Sequence, residues 1–105
     1  MKIVYWGLMI VGALLEILGD VLFKKWTNGG DLKYMIFGFA SYIVGSVMWM
    51  ASLKYADLSR AIVVFSCLNA ILAAICGVTI LGEESSKTLW IGVLLCVLGI
   101  VLVEI

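Results

Sequence analysis

Four long apolar runs separated by three short polar stretches make up almost the whole chain. The runs cover about residues 3–23, 33–53, 60–81 and 87–104. Each is close to the roughly 20 residues a helix needs to cross a hydrocarbon core about 30 Å thick. The interruptions are KKWTNGGDL (24–32), KYADLS (54–59) and GEESS (82–86). Connections this short make successive helices antiparallel neighbours. The pattern therefore predicts an all-α integral membrane protein, one domain over 1–105 with four transmembrane helices and both ends on one side. No room for a soluble domain is expected within these residues. The first run is too long for the apolar part of a cleaved signal peptide and lacks a small-x-small site, so it is read as a span.

Local chemistry supports these boundaries. Asn28-Gly29-Gly30 is a turn signal, Asp57 or Ser59 can cap the third helix, and Ser85 or Ser86 the fourth. Trp6, Trp26, Trp90, Tyr5, Tyr34 and Tyr55 fall near predicted ends, where aromatic belts form. Tyr42 and Trp49 fall inside the second span.

Composition agrees with a lipid environment. The chain is 65% hydrophobic and 13% charged, with no His and no Pro, and a soluble domain of 105 residues could not hide so much apolar surface. Zero net charge points to no nucleic-acid partner. Cys67, Cys76 and Cys96 lie in apolar runs without CxxC spacing, and are read as small hydrophobes, not metal ligands or disulfides. No nucleophile–base pair is evident, so neither an enzyme nor a cofactor is expected. One predicted face carries Lys2, Lys54 and Arg60, the other Lys24, Lys25, Lys33 and Lys87. That near balance hardly orients the chain by the positive-inside rule: either the count is uninformative or the protein inserts both ways.

Against this background the stretch Gly12–Lys25, GALLEILGDVLFKK, stands out. Glu16 and Asp20 are four residues apart, on one helical face, with Gly12, Ala13 and Gly19 beside them. An acid at the centre of a span costs roughly 2.5–3.5 kcal/mol on the insertion scale, so intramembrane acids mark functional sites by default. Asp20 is open to two readings, a second binding acid or a partner for Lys24 one turn on. Glycines recur seven apart at Gly12/Gly19, Gly38/Gly45 and Gly92/Gly99. Such pairs either let helices approach closely or reflect the abundance of glycine in membrane helices. For Gly92/Gly99, in a fourth run with nothing polar between Trp90 and Val103, a dimer-packing strip is the better reading.

Leu15-Glu16-x-x-Gly19 followed by Lys24, four spans in 105 residues and the Gly92/Gly99 strip together resemble the small multidrug resistance transporters of the drug/metabolite transporter superfamily. Lys54-Tyr55-Ala56-Asp57-Leu58-Ser59 is similar to the loop before the third helix in the polyamine-exporting branch. Leu81-Gly82-Glu83-Glu84 is similar to a loop signature of the superfamily. The resemblance implies an antiparallel homodimer or a heterodimer of close paralogues in a prokaryotic inner membrane. It also implies that Glu16 binds either a proton or a cationic substrate, and that Tyr42 lines the site. Ile62 and Phe65 stand where the family has a tyrosine and a tryptophan, Cys67 and Asn69 replace its glycine pair, and Asp20 replaces a small neutral residue. Those departures point away from aromatic-drug and guanidinium export.

The expected function is a proton-coupled antiporter that exports small organic cations, polyamine-like or quaternary ammonium, by alternating access. Protons and cations would compete at Glu16. The expected binding residues are Glu16, Asp20, Tyr42, Trp49, Phe65 and Ser66, with Asn69 bonding either substrate or a neighbouring helix. Arg60 is expected to reach the interface, or to meet Asp20 only across an antiparallel pair. Two alternatives stay open, a subunit of a flippase for lipid-linked sugars and a membrane assembly protein that transports nothing.

Overall fold

The computed structural model describes residues 2–104, all helix and connection, with no strand among them. The helices are α1 (Lys2–Thr27), α2 (Leu32–Ser52), α3 (Leu58–Thr79) and α4 (Lys87–Glu104). All four are long and apolar enough to cross a membrane. α1 runs four residues past the predicted end at 23, because the apolar pattern stops at Phe23 while the helix continues through Lys24 and Lys25. Basic side chains in a last turn suit the negative end of the helix dipole. α3 begins and ends two residues earlier than predicted, over 58–79 where 60–81 was expected.

The ends are made by different devices. After α1 the chain turns at Gly29, whose φ of 94° lies in the left-handed region, and the Gly30 N–H donates to Lys25 O at 3.0 Å. Gly82, at φ 68°, performs the same reversal after α3 and lets the Glu83 N–H reach Gly77 O at 3.0 Å. Ser86 caps α4: its Oγ accepts from the Leu89 N–H at 3.1 Å. Asp57 occupies the cap position of α3, but its side chain makes no capping bond, and Ser59 lies inside the helix.

α1 packs against both α2 and α3, and α4 packs against α3, giving a slab 43 × 33 × 18 Å. The α1–α2 contact settles the two readings of their glycines in favour of packing. A Cβ at Gly45 would stand 2.8 Å from Gly12 O, and one at Gly19 would stand 2.8 Å from Gly38 O. Backbones this close admit a hydrogen bond between helices, Ser41 Oγ donating to Leu15 O at 2.7 Å. On its other face α1 buries Tyr5, Met9 and Ala13 against Ala61, Val64 and Phe65 of α3.

α4 buries no residue. Gly92 has nothing within 4 Å of where a Cβ would stand, and Gly99 only Cys67 Sγ at 3.9 Å. The strip assigned to dimer packing is therefore unused within one chain. Large apolar side chains such as Phe37 (61% exposed) and Leu102 (73%) face outward, a surface that lipid solvates and water does not. The three cysteines are free.

Candidate functional site

α1 carries its acids on the stripe between the contacts with α2 and α3, so both open toward the space those helices leave. That space is a groove of about 440 Å³ lined by residues of α1, α2 and α3. α1 contributes Glu16 and Asp20, and α2 contributes Tyr42, Ser46 and Trp49 at i, i+4 and i+7. α3 contributes Ile62, Phe65, Ser66 and Asn69. Helical periodicity brings each set to one face. All six binding residues expected from the sequence line this one groove.

Glu16 is buried, 7% exposed, and Ser46 Oγ donates a hydrogen bond to its Oε2 at 3.2 Å. The absence of a side chain at Gly45 makes this approach possible, since a Cβ there would lie 2.8 Å from Glu16 Cγ. The Trp49 and Phe65 rings stack at 4.6 Å between centroids with planes 29° apart, joining α2 to α3 beside the groove. Asn69 Nδ2 donates to Phe65 O at 3.2 Å, while its buried Oδ1 has no partner. The arrangement provides one sheltered carboxylate, a second carboxylate one turn away and π faces. Such a surface suits an organic cation with an apolar body.

Residues 1–105 match the EamA-like transporter family. The chain belongs to that family. No curated protein and no solved structure gives a significant match. This EamA-like protein is thus an integral membrane protein of a family of transporters within the drug/metabolite transporter superfamily.

Within this EamA-like transporter, Asp20 departs from one of its two readings. It is exposed and makes no ion pair with Lys24 among the described residues. It lines the groove and also a smaller cavity of about 170 Å³, whose other walls include Lys24, Cys76, Gly77 and Glu83. Arg60 does not approach it: the Arg60 side chain lines a pocket with Lys2 and Glu104, formed by the opposite helix ends. No group of His, Cys, Asp and Glu able to hold a metal ion occurs among the described residues.

Ser46 is the site residue that sequence reasoning passed over. Its signal was available, because Tyr42, Ser46 and Trp49 form one stripe of α2 and a polar residue at the middle of that stripe faces whatever its neighbours face. A serine beside a helix-packing glycine reads more readily as a small packing residue, which hid it.

Proposed function

We propose that this EamA-like transporter is a proton-coupled antiporter exporting small organic cations, with Glu16 exchanging protons for substrate. The observation that carries the reading is Glu16 itself, a buried carboxylate oriented by Ser46 on the wall of a groove with Tyr42, Trp49 and Phe65. A carboxylate removed from water has to be neutralised by a proton or paired with a cation. A cation arriving in the groove displaces the proton, and a returning proton displaces the cation. Exchange follows because the two states exclude each other.

Asp20 narrows the substrate class. A second acid one turn from Glu16 in the same groove favours a compact dication or polycation over a lone quaternary ammonium. Close acids share protons as a coupled group, so both acids enter the proton balance. The groove opens on the side of a thin slab, and a second copy placed antiparallel would cover it. Two such copies exchange roles when the site opens to the other side, which is alternating access at little energetic cost. The near balance of basic residues between the two faces and the unused Gly92/Gly99 strip support that assembly. A prokaryotic inner membrane is the proposed location, and a close paralogue could replace one of the two copies.

Uptake of a radiolabelled diamine into proteoliposomes under an imposed proton gradient tests this. Wild type is expected to accumulate the diamine and Glu16→Gln to lose gradient-driven uptake. Full coupled uptake by Glu16→Gln would remove the mechanism.

A further inference from the structure

Asn69 lines the groove at mid-span of α3, yet the proposed exchange of protons for cations gives it no task. An unmet amide is costly at that depth, because no water is there to bond it. Its Nδ2 donates to Phe65 O at 3.2 Å, while Oδ1 is buried and has no partner among the described residues. The Phe65 bond fixes which end of the amide is unmet, since a flipped amide would set two carbonyl oxygens against each other. Asparagines in membrane helices ordinarily bond to a neighbouring helix, and here the oxygen does not. The polar side chains around it do not supply a donor. Ser46 Oγ donates to Glu16 Oε2, and the Tyr42 hydroxyl is turned to Glu16 as well. The carboxylates of Glu16 and Asp20, once ionised, only accept.

An acceptor left over in a groove that already gathers negative charge calls for a positive group carrying its own N–H. The other features of the groove make no such demand. Carboxylates and π faces attract any cation, a fully methylated ammonium included. A carbonyl oxygen differs, because it forms a strong bond to an ammonium N–H and finds no donor hydrogen on a nitrogen sheathed in methyl groups. The oxygen can reach such a donor. The Phe65 bond is at the long end of the usual range, and χ2 of asparagine is a broad torsion, so a small rotation turns Oδ1 into the groove.

We propose that Asn69 is a specificity-determining residue: its amide oxygen accepts an N–H from the cation held at Glu16 and Asp20. The substrate is then an amine whose ammonium keeps at least one N–H, and a fully methylated ammonium is disfavoured. This rests on the reading of the groove as a cation site and adds a chemical filter to it.

Isothermal titration calorimetry of the purified full-length protein tests the filter, with a linear primary diamine and its bis(trimethylammonium) counterpart on the same carbon chain. Wild type binds the diamine more tightly. Asn69→Leu, close to asparagine in shape, lowers the ratio of diamine to bis-quaternary affinity about tenfold, the scale of a hydrogen bond to a charged group. Asn69→Asp keeps an acceptor oxygen at the same place and keeps the preference. Glu16→Gln weakens both cations together, which separates the charge site from the selectivity residue. Circular dichroism checks that each variant is folded. A ratio in Asn69→Leu equal to that of wild type, loss of the preference in Asn69→Asp, or equal affinity of wild type for the two cations overturns the proposal and leaves the cation site standing. Failure of wild type to bind either cation removes both.

Discussion

Ser46 on α2 donates its hydroxyl to Oε2 of Glu16 on α1 at 3.2 Å. It fixes the acid's rotamer toward the groove and is made possible by the glycine beside it. A bond to a charged group contributes about 1.5–3 kcal/mol, and the length here places it at the lower end. Ser46→Ala is therefore expected to raise the half-saturating cation concentration about tenfold while transport persists. Concentration-dependent currents on solid-supported membranes measure this. No change in half-saturation would mean that Glu16 is positioned by packing alone.

The α1–α2 glycines give a stability prediction with a built-in control. Gly45→Ala places a methyl 2.8 Å from both Gly12 O and Glu16 Cγ, so the helices have to separate. Overpacking of this kind costs about 1–3 kcal/mol. Gly7, on the same helix as Gly12, has nothing within 4 Å, and Gly7→Ala should leave stability within about 0.5 kcal/mol. Thermal unfolding in detergent compares the two. Equal Tm shifts would show that glycine content, not close approach, sets the stability of this pair.

Legibility in the sequence followed how far each signal depends on one helix alone. Spans, short connections and the faces carrying Glu16, Tyr42 and Phe65 are properties of period and length, and the structure has them. The expectation that all successive helices are neighbours fails for α2 and α3, because α1 packs against both and stands between them. The match of residues 1–105 confirms a transporter family at the superfamily level. What the sequence could not supply was pairing between helices. Whether Gly12 met Gly45 or only lipid depends on a neighbour, and periodicity does not name neighbours. The same limit hid Ser46, whose role exists only because α2 lies against Glu16. It also left Lys24 open as a partner for Asp20, since spacing by four on one helix is visible in the sequence and the geometry of the groove is not. Tyr5 and Glu104 are 99 positions apart, and only the fold places them in one pocket.

The Gly92/Gly99 strip of α4 yields a prediction about assembly. Gly92 lines an open groove with Ala70 and Ala74 of α3 and has no atom within 4 Å of where a Cβ would stand, so Gly92→Leu projects into that groove and its helicity should match wild type. If the Gly92/Gly99 strip seats a second copy, the bulky side chain blocks close approach, and the dimer fraction in cross-linking or energy-transfer assays falls several-fold. A dimer fraction equal to wild type would move the interface to another face.

Asp20 allows the substrate class to be tested separately from the mechanism. It is exposed and has no ion pair among the described residues, so Asp20→Asn should alter stability by no more than about 0.5 kcal/mol. Its effect should appear in selectivity. A dication spanning Glu16 and Asp20 loses one charge contact worth up to about 1 kcal/mol, or roughly fivefold in affinity, while a monocation seated on Glu16 loses much less. Half-saturation for a diamine and for its monoamine counterpart, measured on wild type and Asp20→Asn, gives the ratio directly. Lys24→Ala separates this from a surface ion pair, because it should leave the ratio unchanged if Asp20 faces substrate. Equal losses for both amines, or the same loss in Lys24→Ala, would return Asp20 to a structural role and leave Glu16 as the sole binding acid.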